Sequence, residues 1–116
     1  MTEELNAVIR SLHLGPEDHG IFTAFVTLEL SDGSTQGFGG YDLRHHNAAF
    51  QFVSECLRIA HVEDWTALVG KPIRARRVDR IVVAIGDLLK DKWFVAKQMY
   101  DEPHVAVVDG SEVVRT

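Results

Sequence analysis

The feature that most constrains the fold is a β-hairpin predicted between residues 21 and 41. Apolar side chains occupy every second position of the segment IFTAFVTLEL, an alternation typical of a strand with one buried face. Asp32 and Gly33 follow, and an Asp-Gly pair between two strand-like segments is the strongest short-range hairpin signal. We therefore expect the next segment, TQGFGGY, to return antiparallel to the first.

The return arm contains glycine at positions 37, 39 and 40, which leaves two interpretations open. A phosphate-binding loop places its glycines between a strand and the start of a helix, in spacings such as GxGxxG. Here the spacing is G-x-G-G inside a hairpin, and no Lys-Ser or Lys-Thr pair follows. Glycine within a strand marks a bulge or a point where another group approaches the backbone closely. We favour the strand.

The remaining strand signals lie on both sides of this hairpin. Strand-like segments are AVIRSLHL, PIRARRV and IVVAIGDLL, at residues 7–14, 72–78 and 81–89. The last is a nearly continuous apolar run, typical of a strand covered on both faces. Asp79 and Arg80 predict a tight connection between the last two strands.

One long helix is predicted over residues 47–61. Apolar residues recur there every three or four positions, Asn47 is a suitable N-cap, and Cys56 falls on the buried stripe, where we expect an inert thiol. Residues 62–69 predict a short helical turn. Trp93 and Phe94 are expected to anchor packing, with a short helix as one interpretation of their segment.

These elements predict an α+β fold in a single domain of residues 1–116, a mainly antiparallel sheet with one long helix and one or two short helices packed on it. The chain end, from about residue 100 to 116, has valine-rich arms around a second Asp-Gly pair. It fits a terminal hairpin, a strand added to the sheet edge, or a segment ordered by a partner.

Composition excludes several classes of protein. The net charge of −5 argues against general nucleic-acid binding, which needs a basic surface. A single cysteine permits no internal disulfide, and neither a signal peptide nor an apolar run of membrane-spanning length is present, so we expect a cytoplasmic protein without membrane association. Eight of the 12 basic side chains nevertheless lie close together in the sequence, at Lys71, Arg74, Arg76, Arg77, Arg80, Lys90, Lys92 and Lys97. They either solvate the outer side of a strand or form one basic face.

Catalytic and metal-binding signals are weak. The six histidines show no CxxC, HExxH or facial-triad spacing, so we expect neither a metal nor another cofactor. Asp18 and His19 could supply a base and its orienting carboxylate, but no nucleophile is evident, and we expect no catalytic residues. The alternative is a small enzyme acting on a nucleotide or phosphoester, with Asp18, His19 and Lys92 gathered at residues 35–41, which we call the glycine strand.

Several motifs, chiefly GFGGY at residues 37–41 and DKWF at residues 91–94, resemble a family of small uncharacterised proteins from tailed bacteriophages and prophages. The resemblance spans residues 13–96 and implies a phage origin and a bacterial cytoplasmic setting. It implies an accessory or host-takeover factor, including inhibition of a bacterial defence system, and it assigns no catalytic residue.

These observations predict a non-enzymatic binding protein that occupies a host protein or sequesters an anionic small ligand. If the glycine strand shares a face with the strand of residues 72–78, which carries Arg74 and Arg76 and which we call the arginine strand, the two would form a shallow groove edged with positive charge. Self-association into a homodimer through a sheet edge is also expected. The predicted binding residues are Gly37, Phe38, Gly39, Gly40, Tyr41, Arg74, Arg76, Lys92 and Trp93.

Overall fold

A computed structural model of the chain describes residues 1–17, 20–45 and 47–96. The element order is β1 (Thr2–Pro16), β2 (Phe22–Leu30), β3 (Thr35–Gly39), α1 (Ala48–Ala60), a 3₁₀ turn (Trp65–Leu68), β4 (Pro72–Val78), β5 (Ile81–Gly86) and β6 (Trp93–Phe94). The interpretations of the chain end from residue 100 lie outside the described residues. The α+β prediction is confirmed: an antiparallel sheet carries one helix and one short 3₁₀ turn.

Within the described residues the sheet has six strands in the order β3-β2-β1-β4-β5-β6, and neighbouring strands pair antiparallel. β1 is longer than predicted because it pairs with two strands. Its first half pairs with β4, and its second half pairs with β2. The pairing with β2 shifts by one residue between Ile9 and Ser11. Such a bulge bends a strand and increases its twist, which helps the sheet to curl.

The curled sheet brings β3 against β5 through one side chain. Gln36 donates a hydrogen bond from Nε2 to the Arg80 carbonyl at 2.6 Å and accepts one at Oε1 from the Val82 amide at 2.9 Å. The order around the resulting barrel is β1-β2-β3-β5-β4, with α1 between β3 and β4 in the sequence. This strand order and the position of α1 resemble those of the OB-fold, a five-stranded and partly open Greek-key barrel.

The hydrophobic core lies between the concave side of the sheet and α1. Three aromatic rings meet there: Phe38 of β3, Phe52 of α1 and Phe94 of β6, with ring centroids 5.6 to 6.1 Å apart. Cys56 is also in this core, 1% exposed, and burial raises the pKa of its thiol to about 12. The predicted buried position of the cysteine is therefore confirmed.

Two local details differ from the sequence prediction or refine it. Trp93 and Phe94 lie in a short strand rather than a helix, because they pair with Gly86 and Ile85 at the edge of β5. Asn47 precedes α1 as predicted, but its side chain makes no capping hydrogen bond.

Candidate binding surface

The glycine segment forms an extended strand, as predicted, and not the mouth of a helix. Gly39 has a φ of +112°, and a Cβ added there would lie 2.7 Å from both the Ala24 carbonyl oxygen and Cζ of Phe52. The close approach inferred from the sequence is therefore made by the protein's own helix. The absence of a side chain at this position lets the Phe52 ring reach the sheet.

The neighbouring predicted residues have different environments. Phe38 is only 3% exposed and points into the core, so its ring is not available to a partner. Gly37 is exposed, and a Cβ added there would meet no atom within 4 Å. Gly40 is exposed and follows the strand with a φ of +85°. Tyr41 is half-buried, and its carbonyl accepts a hydrogen bond from the Thr23 hydroxyl at 2.5 Å.

The outer side of β1, β2 and β3 carries a surface that the sequence analysis did not single out. His13 and Phe25 lie opposite each other on neighbouring strands, with stacked rings 4.9 Å apart and 17° from parallel. Gly39 is the partner of Phe25 on β3, and the next row is Ser11, Thr27 and Gly37. We call Ser11, His13, Phe25, Thr27 and Gly37 the ring face.

A sequence signal for the ring face was present in β2. Phe25 falls on the polar side of the alternating segment, in phase with Thr23, Thr27 and Glu29. A large aromatic residue at a position that faces outward is an informative exception to that alternation.

The basic side chains at the ring face lie beside carboxylates. Nε2 of His13 lies 3.2 Å from the Glu17 carboxylate, a pair that is ionic only when the imidazole is protonated, and Nε of Arg10 donates a hydrogen bond to Glu29 at 2.5 Å. Neither Arg10 nor His13 therefore offers an unpaired positive charge at the ring face.

Arg74, Arg76 and Trp93, three other predicted binding residues, meet on the outer side of β4, β5 and β6. The guanidinium carbons of Arg74 and Arg76 lie 4.8 Å and 4.1 Å, respectively, from the centroid of the Trp93 indole ring, within the range of a cation–π interaction. The indole lies on Gly86, where an added Cβ would be 2.6 Å from Cε3 of Trp93. We call Arg74, Arg76 and Trp93 the arginine–tryptophan cluster.

Both guanidinium groups of this cluster already have partners. Nη2 of Arg76 lies 3.1 Å from the Glu4 carboxylate, and Nη1 of Arg74 lies 3.7 Å from it. Arg74 also donates hydrogen bonds of 2.7 Å to the carbonyls of Asp87 and Lys90. The cluster therefore holds β4, β6 and the turn between β5 and β6 together. Lys92 lies beside it and is exposed.

The glycine strand and the arginine strand are not neighbours in the sheet. β2 and β1 lie between β3 and β4 in the sheet order, a path of about 14 Å at the usual strand spacing, and β5 lies between them across the contact made by Gln36. Of the nine predicted residues, five lie in or directly after the glycine strand, three form the arginine–tryptophan cluster, and Lys92 lies beside that cluster.

Arg77 is a buried charge that the sequence analysis did not identify. Its side chain points inward, only 10% exposed, and forms ion pairs with Glu3 at 2.9 Å and Asp32 at 3.0 Å. Hydrogen bonds from Ser34, and then from Arg77, lower the pKa of Asp32 to about 2. Arg77 lies on the same side of β4 as the buried Ile73 and Ala75, because burial alternates without interruption along this strand. The alternation of the segment PIRARRV was therefore a sequence signal for its inward position.

The residues suggested for an enzymatic site are only partly described. Asp18 and His19 lie outside the described residues, so their distances from Lys92 are not part of the structure. Within residues 1–17, 20–45 and 47–96, no three His, Cys, Asp or Glu side chains are grouped so that they could hold a metal ion. In the same residues, no helix is long and apolar enough to cross a lipid bilayer.

The chain was compared with protein-family models, curated proteins and solved structures. The chain matches no protein-family model, no curated protein and no solved structure.

Proposed function

We propose that the protein is a non-enzymatic binding domain and that its ring face holds a flat ring of a ligand or partner. The observation that carries this proposal is the stacked His13–Phe25 pair on the outer side of the sheet, beside the bare and exposed Gly37. A strand position without a side chain lets a ligand lie against the backbone, and an aromatic ring beside it offers a stacking partner.

The fold supports the location of this surface. In OB-folds, the face of strands 2 and 3 binds oligonucleotides and oligosaccharides. The ring face lies on the corresponding strands of this barrel. A shared fold does not establish a shared function, so the analogy supports the choice of surface and not the choice of ligand.

Charge selects among ligands. A single-stranded nucleic acid is held by a basic groove that follows its phosphates, together with aromatic rings that stack on its bases. The chain has a net charge of −5, and Arg10 and His13 at the ring face are paired with carboxylates. We therefore propose a ring that has a flat or apolar face, carries hydroxyl or amide groups and has no phosphate chain, such as the base of a nucleoside or the apolar C–H face of a sugar.

The resemblance to small phage proteins adds a biological setting to this proposal. Binding would serve host takeover in the bacterial cytoplasm, including inhibition of a defence system, by sequestering a ligand or occupying a host protein. An anionic ligand would have to compete with Glu4 for Arg74 and Arg76, which makes it the weaker candidate. The enzymatic alternative and the homodimer have no observation in their favour.

The proposal is tested by NMR titration of the ¹⁵N-labelled full chain with a neutral oligosaccharide, a nucleoside and a short single-stranded DNA. We expect at least one neutral ligand to shift the amide signals of Phe25, Thr27 and Gly37. Shifts confined to other parts of the protein, or no shifts with either neutral ligand, would contradict the proposal. A response to the DNA alone would show that the ligand class is wrong.

A further inference from the structure

The turn between β5 and β6 holds two leucines in solvent. Leu89 is 89% exposed and Leu88 is 38% exposed. Leu88 also lines a shallow groove that includes Val8 and Pro72. A single exposed leucine is ordinary in a folded protein and by itself indicates nothing. Residues 87–92, which we call the leucine turn, are unusual because several hydrogen bonds fix their backbone.

Hydrogen bonds fix the first half of the leucine turn. Oδ1 of Asp87 accepts hydrogen bonds from the amides of Leu89 at 2.9 Å and Lys90 at 3.1 Å. Arg74 binds the carbonyls on both sides of the leucines, those of Asp87 and Lys90, at 2.7 Å each. The two leucines therefore project from a backbone that is held at both ends.

Further contacts attach the turn to the rest of the protein. The amide of Asp87 donates to the carbonyl of Lys92 at 2.9 Å, and Oδ2 of Asp87 lies 2.5 Å from Nε2 of His61 at the end of α1. The indole of Trp93 donates to Asp91 at 3.0 Å. The Asp87 carboxylate is only 4% exposed, so a buried charged group orders a segment whose leucines contribute little to the core.

We propose that the leucine turn is a docking surface for a protein partner that presents an apolar pocket with a rim of carboxylates. Leu89 is the side chain that enters the pocket, and Lys90 and Lys92, both exposed, face the rim. A loop that is already rigid loses less conformational entropy on binding, so its few apolar atoms contribute more to affinity. This inference does not depend on the ring face.

Charge complementarity favours a protein over a membrane as the partner of the leucine turn. The exposed side chains Lys90, Asp91 and Lys92 together carry one net positive charge, which favours an acidic partner close to the turn. The whole chain carries a net charge of −5 and is repelled by an extended anionic surface. A protein pocket contacts the turn alone. An anionic bilayer would also face the acidic remainder of the molecule.

The test compares full-length variants of the immobilised protein in a bacterial lysate. Leu89→Ser removes the apolar anchor, and the double variant Lys90→Glu/Lys92→Glu reverses the flanking charges. Ile81→Ser is the matched control, because Ile81 is 62% exposed and lies at the other end of β5. Far-UV circular dichroism and thermal melts confirm that all three variants fold like the wild type.

We expect at least one protein to be retained by the wild type and by Ile81→Ser, and to be recovered at least tenfold less with the other two variants. The same protein, purified, should bind the wild type with an affinity that falls as salt is raised. Equal recovery with Leu89→Ser, equal loss with Ile81→Ser, or no retained protein would overturn the proposal. Binding to vesicles of phosphatidylglycerol and phosphatidylcholine that Leu89→Ser abolishes would replace the protein partner with a membrane.

Discussion

Substituting Gly39 with alanine tests the packing of helix on strand that shapes the glycine segment. The new Cβ would lie 2.7 Å from the Ala24 carbonyl oxygen and 2.7 Å from the Phe52 ring, and the φ of +112° is one that alanine rarely adopts. Such a φ costs about 1–3 kcal/mol, and overpacking costs about 1–3 kcal/mol more. We therefore expect Gly39→Ala to lower the free energy of unfolding by about 2–6 kcal/mol.

The matched control is Gly37→Ala on the same strand. Its Cβ meets no atom within 4 Å, so we expect the free energy of unfolding to change by less than about 1 kcal/mol. Urea denaturation followed by tryptophan fluorescence measures both variants, and thermal melts should show a decrease of about 8–20 °C for Gly39→Ala only. Equal stability of the two variants would refute the reasoning.

Three further predictions concern stability and reactivity. Folding lowers the pKa values of Asp32, Asp42 and Asp87 to about 2, so the stability that these carboxylates contribute is complete above the ordinary carboxyl pKa of 3.8 and is lost as the pH falls through about 2. The urea midpoint should therefore drop between roughly pH 5 and pH 2. A midpoint that does not change over this range would contradict the prediction. Cys56 should react with a thiol reagent only after the chain unfolds, because the thiol is buried and its pKa is raised to about 12. Fast reaction in native buffer would show that the thiol is accessible in the folded protein. Gln36→Leu leaves the Arg80 carbonyl and the Val82 amide without their partner and should cost about 1–3 kcal/mol in the urea assay, whereas an unchanged midpoint would mean that this contact does not close the barrel.

The local parts of the fold were predictable because their signals lie close together in the sequence. Alternation in β2 and the Asp-Gly turn determine the first hairpin, and both are contained within residues 21–41. The three- and four-residue spacing of apolar residues determines α1 in the same way, to within one residue at each end.

The closure of the barrel was not predictable because it depends on contacts between distant residues. Gln36 binds backbone groups at positions 80 and 82, and Arg77 binds Glu3, which is 74 residues away. Nothing in the spacing of these residues indicates that they meet. The curl of the sheet places Gln36 beside the start of β5, and the pairing of β1 with β4 places Arg77 opposite Glu3. Both contacts arise only in the assembled sheet.

The candidate site was predicted in part, for the same reason. The glycines indicated a close approach, but only the position of α1 identifies Phe52 as the group that approaches Gly39. Arg74, Arg76 and Trp93 were singled out separately, and the pairing of three strands brings them into one cluster.

The central claim is that the ring face binds a flat, uncharged ring, and calorimetric titration with the neutral ligand that gives the largest NMR shifts tests it most directly. Gly37→Gln fills the open space on β3, and Phe25→Leu removes the stacking ring. Phe50→Ala is the control, because Phe50 is 73% exposed on α1, away from the ring face. Loss of one stacked ring costs about 1–3 kcal/mol, so Phe25→Leu should bind roughly 5- to 150-fold more weakly. Gly37→Gln should also weaken binding, because its side chain occupies the space of the ligand, and the control should bind like the wild type. Wild-type affinity in both Gly37→Gln and Phe25→Leu would contradict the claim.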